Sequence, residues 1–441
     1  MKRNQLLKWS LTVSLGGFLF GLDTAVISGG EQAIQQQWGL SDTLLGQMVA
    51  MALYGTVIGA LFGGIPTDRI GRKKTLFWIA VLYLVSAAGS ALAPDVWTLM
   101  FFRFIGGLSV GASSVTAPMY ISEIAPPHKR GRMTAMFQFN IVLGILIAYF
   151  SNYLIGSGEG DGWRWMLGMV VPPAVLFTAL IPFVPESPRW LITKKGKVDE
   201  ARRILEIADP ASVDEAMASI HIKEPGSASN WSLFISGKYK FSILLAFLIA
   251  FFNQVSGINA VIYYAPRIFN MTGMGDSTAL LSTAGIGLVN LVFTMLGLAL
   301  IDNMGRRFLM YIGSIGYIVS LAAVAFAFFT ESFSGFMVPL WLFVFIASHA
   351  IGQGAVIWVF IAEVFPNEVR AYGQSLGCST HWVLAAIISG VFPLVASAFG
   401  GGPVFAFFSV MMVFQLLFVW RIMPETKGVS LEELERRLSK G

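Results

Sequence analysis

Asp68-Arg69-Ile70-Gly71-Arg72-Lys73 recurs 234 residues downstream as Asp302-Asn303-Met304-Gly305-Arg306-Arg307. Two further pairs keep nearly the same offset. Glu123, followed seven residues later by Arg130, returns as Glu363 and Arg370, 240 positions on. Pro185-Glu186-Ser187-Pro188 returns as Pro424-Glu425-Thr426-Lys427, 239 positions on. Basic residues gather at cytoplasmic helix ends by charge bias alone, but that bias does not require the acidic members. Three matched marks therefore read as two copies of one unit.

Around these marks the chain is apolar. Of 441 residues, 55% are hydrophobic and 12% charged, against about 25% charged in soluble domains. Such a surface excludes a soluble enzyme, a disordered chain and a fibre, and leaves a polytopic membrane protein. Twelve segments have the roughly 20 apolar residues that a spanning helix needs. They run about 9–30, 45–66, 75–93, 98–119, 133–154 and 164–184, then 241–265, 279–301, 308–329, 337–361, 371–395 and 403–423. They are too long for barrel strands. The first follows Lys2, Arg3 and Lys8, yet it lacks a small-residue cleavage site and contains Asp23, so it is kept as a helix. The expected fold is all-α, with twelve transmembrane helices in two six-helix halves. The halves are 1–184 and 241–424. A cytoplasmic linker, 185–240, joins them, and a short tail, 425–441, follows. Within the linker, Lys197–Ile207 reads as an amphipathic helix with Val198, Ala201, Ile204 and Leu205 on one side. Pro225, Gly226, Ser227 and Ser229 read as a linker.

Charge placement sets the orientation. Of the 30 Lys and Arg residues, 27 fall on the side of the two termini, which places both termini in the cytoplasm. The net charge of +5 then needs no nucleic acid. The single cysteine, Cys378, excludes a disulfide framework. No phosphate-cradling Gly-x-x-x-x-Gly-Lys run, metal-spaced His/Cys cluster or nucleophile elbow is found, so no cofactor, metal or enzymatic activity is expected.

The motifs in combination resemble the sugar porter family of the major facilitator superfamily. Gly64-Ile65-Pro66-Thr67-Asp68-Arg69-Ile70-Gly71-Arg72-Lys73 is similar to the superfamily's signature loop. Pro185-Glu186-Ser187-Pro188-Arg189-Trp190-Leu191, Pro424-Glu425-Thr426-Lys427-Gly428 and Asn253-Gln254-Val255-Ser256-Gly257-Ile258-Asn259 resemble the marks of the family. The likeness runs from Gly16 to Glu433. It implies alternating access of a monosaccharide, hexose or pentose, to either side of a cell membrane. The short loops lean bacterial, hence an inner membrane, and a monomer is expected to suffice.

Two strongly ionisable residues lie deep in the segments, Asp23 and Arg103. An intramembrane charge is a functional hypothesis by default. At about 1.5 Å rise per residue, Asp23 lies roughly 10 Å and Arg103 roughly 8 Å below the outer face. The two can meet at one level. One reading is an ion pair that orients two helices. The other is a proton switch, since separating an Asp from its Arg raises its affinity for a proton. The resemblance implies the second, because an acid in the first helix and an arginine in the fourth belong to the proton-coupled members. The alternatives are a uniporter of the same fold and a transporter-like sugar sensor.

Sugar hydroxyls need partners that donate and accept, and ring C–H groups need an apolar face. Candidates are Gln138, Asn253, Gln254, Asn259 and Asn290, with Phe20, Trp358 and Trp382. A lone amide in a bundle also serves as an interhelical hydrogen bond; as a set they resemble the family's sugar-binding residues. Gln254 and Asn259 are five positions apart, about 140° around a helix. One straight helix does not aim both squarely at one ligand; Ser256-Gly257 between them, and Pro266 beyond, permit local unwinding. His381 stands where the family often has an amide, and either binds sugar or packs. The tenth segment reads Gly352-Gln353-Gly354-Ala355-Val356-Ile357-Trp358, without the family's proline, so a bend there is left open. At the cytoplasmic ends lie Asp68, Arg69, Arg72, Glu123 and Arg130, then Asp302, Arg306, Arg307, Glu363 and Arg370. Exposed pairs there contribute about 0–1 kcal/mol each. The resemblance implies a latch, with Glu186 and Glu425 nearby.

Overall fold

The computed structural model describes residues 5–436 except 127–128, 157–159, 211–212, 222–230, 334, 367, 430–432 and 435. The side chains of residues 130, 131, 219 and 221 are likewise not described. Lys2, Arg3 and the expected linker residues Pro225, Gly226, Ser227 and Ser229 therefore lie outside the described residues. Every regular element among the described residues is a helix.

Twelve of these helices are long and apolar enough to cross a membrane. Spans 1–6 are Gln5–Gly29, Asp42–Phe62, Arg72–Ala91, Val96–Ile124, Arg132–Ile155 and Gly162–Phe183. Spans 7–12 are Lys240–Asn270, Asp276–Met304, Arg306–Phe329, Met337–Glu363, Arg370–Phe399 and Gly401–Arg421. Each overlaps its expected segment. A short helix, Glu31–Trp38, follows span 1 and is closed by Gly39 in the left-handed region.

The chain forms two compact units. The first holds 1–27, 51–151 and 161–227; the second holds 28–50, 152–160 and 228–441. In the first, span 3 packs along span 4, and span 1 along span 4. Small residues allow this, because apolar lipid gives no drive for helices to associate beyond close packing. A Cβ added at Gly107 in span 4 would overlap the carbonyl of Ala52 in span 2. The helices Pro188–Lys195, Val198–Ala208 and Val213–His221 belong to this unit. Ser187 caps Pro188–Lys195 by accepting from Trp190 N. Trp190, Leu191, Ala201 and Ile204 make a small core. Of the face expected for 197–207, Val198 is 41% exposed. It begins the helix Val198–Ala208, and only the later turns reach that core.

In the second unit, span 9 packs along span 12, and the first half of span 7 along span 11. Two spans here are broken. Span 7 consists of Lys240–Val255 and Ile258–Asn270, joined at Gly257 with φ +83°. Only glycine adopts that backbone freely. Span 10 runs as Met337–His349, a π-helical turn Ala350–Gly354, then Ala355–Glu363. The break left open for want of a proline is thus present and has another origin.

Candidate functional site

In the first unit, Arg103 reaches Asp23. Its Nη1 donates to the Asp23 carbonyl at 3.1 Å and to Oδ1 at 3.3 Å. Asp23 is 5% exposed and Arg103 1%. The two side chains meet, as their expected positions along the spans allow. The pairing is incomplete. Asp23 Oδ2 and Arg103 Nε and Nη2 are buried with no hydrogen-bond partner among the described residues. A buried charge is compensated only when its remaining hydrogen-bonding positions are filled. Phe20 in span 1 and Gln138 in span 5 are half-buried in the same unit.

In the second unit the break of span 7 gathers the amides. Ser256 Oγ accepts from Ile258 N at 3.3 Å and donates to the Asn253 carbonyl at 2.6 Å, which holds the unwound turn. Asn259 Nδ2 then donates to Gln254 Oε1 at 2.7 Å. The 140° that a straight helix would put between them is removed. Gln254 Nε2 donates to Asn253 Oδ1 at 2.9 Å and lies 3.1 Å from His381 Nδ1. The His381 ring sits between Trp358 and Trp382, with centroids 5.0 and 4.7 Å away. Trp358 keeps 40% of its surface exposed. Asn253, Gln254, Asn259, Trp358, His381 and Trp382 are thus brought together. Asn290 in span 8 is half-buried, and its Oδ1 accepts from Thr294 Oγ1 at 3.3 Å.

The repeated charged marks fold into two arginine cages, one per unit. In the first, Arg72 bonds Glu123 through Nε at 2.9 Å and Asp68 through Nη1 at 3.1 Å. Glu186 Oε1 accepts from the Arg72 backbone N at 2.9 Å. In the second, Arg306 bonds Glu363 through Nη2 at 2.8 Å and Asp302 through Nη1 at 3.3 Å. Glu425 Oε1 accepts from the Arg306 N at 3.0 Å. Gly71 and Gly305 precede these arginines at φ +98° and +88°. A Cβ at either would strike the Glu186 or Glu425 carboxylate. The motif glycine exists so that a carboxylate can cap the next helix. Arg307 Nε donates to the Val419 carbonyl at 3.0 Å, which ties span 9 to span 12. Arg370 Nε donates to the Phe365 carbonyl at 3.1 Å, and Arg69 is exposed. The side chain of Arg130 lies outside the described residues.

Sequence reasoning missed three features. Glu31 on the helix Glu31–Trp38 is fully buried and takes a two-pronged bond from Arg267, at 2.9 and 2.7 Å. Burial pushes the Glu31 carboxyl up from its ordinary value, against the pull of Arg267. Gln353 and Gln415 are wholly buried and bonded to one another. Only their residue type, an amide within an apolar run, could have flagged them. Third, a cavity of about 510 Å³ lies among Gln32, Gln36, Asn270 and Asp276, apart from the Gln254–His381 cluster. Asn270 opens a sequon, Asn270-Met271-Thr272, but its amide donates to Asp276 at 2.7 Å.

Comparison with known proteins gives consistent matches. The profile described as "Sugar (and other) transporter" matches residues 9–438. A D-xylose transporter of Levilactobacillus brevis is 38% identical over 434 residues, 96% of this chain and 94% of that protein. The arabinose-proton symporter of Bacillus subtilis is 37% identical, across 97% of this chain and 94% of its own length. The inward open conformation of the E. coli xylose transporter superposes with a TM-score of 0.85 at 34% identity. That match covers 98% of this chain and 99% of the other.

Proposed function

The chain belongs to the sugar transporter family, and from that premise we infer that it carries a monosaccharide, pentose or hexose, in symport with protons. It is a transporter and not an enzyme, a multi-pass protein of a bacterial cell membrane. We place both termini in the cytoplasm on the charge bias, and take 1–184 and 241–424 as two halves that alternate access. A single copy suffices in this reading, since each half holds its own elements of the machinery.

The observation that carries proton coupling is the buried Asp23–Arg103 pair with three unsatisfied polar atoms. An arginine beside a carboxylate favours its charged form. When a rearrangement draws the arginine away, an isolated carboxylate in an apolar surround takes up a proton. Sugar is bound by the amides Asn253, Gln254, Asn259, Asn290 and Gln138. Trp358, Trp382 and Phe20 offer apolar faces, and His381 adds a polar edge. The lower affinity of a sugar for one state than the other then drives the exchange.

The test begins with a panel of D-xylose, L-arabinose, D-glucose and D-galactose in proteoliposomes, with and without a pH gradient. The parent should accumulate at least one against its concentration gradient. Asp23→Asn should abolish accumulation and retain counterflow of that sugar. Accumulation by the variant would remove Asp23 from coupling and favour the other reading, a uniporter.

A further inference from the structure

The amides of the second unit continue past the sugar site. Gln353 lies within the π-helical turn of span 10 and is wholly buried. Its Oε1 accepts from Asn253 Nδ2 at 3.4 Å, and its Nε2 donates to Gln415 Oε1 in span 12 at 2.8 Å. Gln415 Nε2 donates to Ser314 Oγ in span 9 at 2.8 Å, and that hydroxyl donates to the Met310 carbonyl at 2.7 Å. Together with the bonds within span 7, this makes one continuous row: Asn259, Gln254, Asn253, Gln353, Gln415, Ser314.

Every member points the same way. Each amide nitrogen donates to the oxygen of the next residue toward Ser314, and each amide oxygen accepts from the member before it. Ser314 fixes the sense, because its hydroxyl hydrogen is committed to Met310 and it can only accept from Gln415. The sense passes amide by amide to Asn259, whose nitrogen is committed to Gln254. Its oxygen is left as the terminal acceptor. Were any one amide reversed, two nitrogens or two oxygens would face each other, a heavy penalty at this burial. The π turn serves this arrangement. An extra residue in a helix shifts the register of the side chains after it, and such turns gather at functional sites. Here the turn contains Gln353, which meets span 7 on one side and span 12 on the other.

We propose that Gln353 and Gln415 are positioning residues that set the polarity of the sugar site, so that Asn259 presents its oxygen to accept from a sugar hydroxyl. The proposal rests on the sugar-transport reading above. Neither glutamine touches sugar; both act through Asn253 and Gln254.

The experiment uses the full chain and whichever panel sugar the parent carries, with its set of monodeoxy analogues. Gln415→Met keeps the volume and removes the relay. Ser314→Ala removes only the group that fixes the sense and leaves the packing nearly intact. Both should raise KM about 5- to 10-fold, the worth of one hydrogen bond, with kcat within about 2-fold. The deoxy analogue that lacks the hydroxyl facing Asn259 should be discriminated against in the parent and not in the variants. Gln415→Met combined with Asn259→Ala should be no worse than Asn259→Ala alone. If the folded variants keep the parental KM and analogue profile, or lose kcat alone, or add to Asn259→Ala, the proposal is wrong. If Gln415→Met does not fold, Ser314→Ala decides by the same readings. A parent that carries no panel sugar overturns the sugar reading itself, and this proposal with it.

Discussion

Single residues decide where this chain departs from regular helix. Gly257 is the sharpest case. Its φ of +83° excludes most side chains, and a Cβ there would enter the Phe408 ring. Gly39 has a comparable φ of +59° with open space around it. Gly257→Ala should therefore lose about 1–3 kcal/mol, and more than Gly39→Ala, read as thermal midpoints in detergent. Equal losses would mean that Phe408 simply swings aside. The Gly257 break was legible in the sequence, because Gln254 and Asn259 could not otherwise face one ligand. Asp23 and Arg103 were legible for a similar reason, since charges are out of place in an apolar run. Glu31 was not. It stands in a polar stretch, where a glutamate attracts no notice, and only the approach of Arg267 shows that it is buried.

At the scale of elements, the helix Glu31–Trp38 is tied to span 7 by Glu31 and Gln35, which both accept from Arg267. Glu31 binds its proton more tightly in the fold than in the unfolded chain, because burial raises its pKa above the ordinary 4.5. Stability from this group must then fall as the pH rises from about that value through the raised one. Glu31→Gln, which cannot titrate, should flatten this slope. Thermal midpoints from pH 4.5 upward should converge or cross in favour of the variant, and parallel curves would refute the assignment. Span existence and order were readable from apolar length alone. The π turn in span 10 was not, because such a turn has no compositional mark. A proline would have announced a bend. The chain instead hides it between ordinary residues and anchors it with Gln353, whose partners come from 62 to 104 positions away.

Over the whole molecule, duplication is expressed atom by atom. Arginine, two side-chain carboxylates, a capping glutamate and a positive-φ glycine recur with matching bonds in both units. The offset between the marks was visible in the sequence; that each cage closes within its own unit was not. Spacing along the chain does not say which carboxylate an arginine will choose. We expect the cages to hold the cytoplasmic helix ends in the outward-facing state. Neutralising Glu363 by Glu363→Gln would remove on the order of 1 kcal/mol, a roughly fivefold shift between two states. Cys378 is the chain's one thiol, half-buried in span 11. Its maleimide labelling rate should rise by a similar factor, and an unchanged rate would argue against a role in gating.

The row of amides that ends at Asn259 is also an array of aligned dipoles. Each carbonyl oxygen faces the Asn259 end and each amide nitrogen donates toward Ser314, so the row carries partial negative charge at the end we propose for the sugar, as a helix does at its C-terminus. Neighbours in such a row polarise one another and strengthen the terminal acceptor. The consequence is a filter on charge. A neutral sugar or one bearing an ammonium group meets a welcoming field, and a uronate meets a repelling one before any steric contact is made.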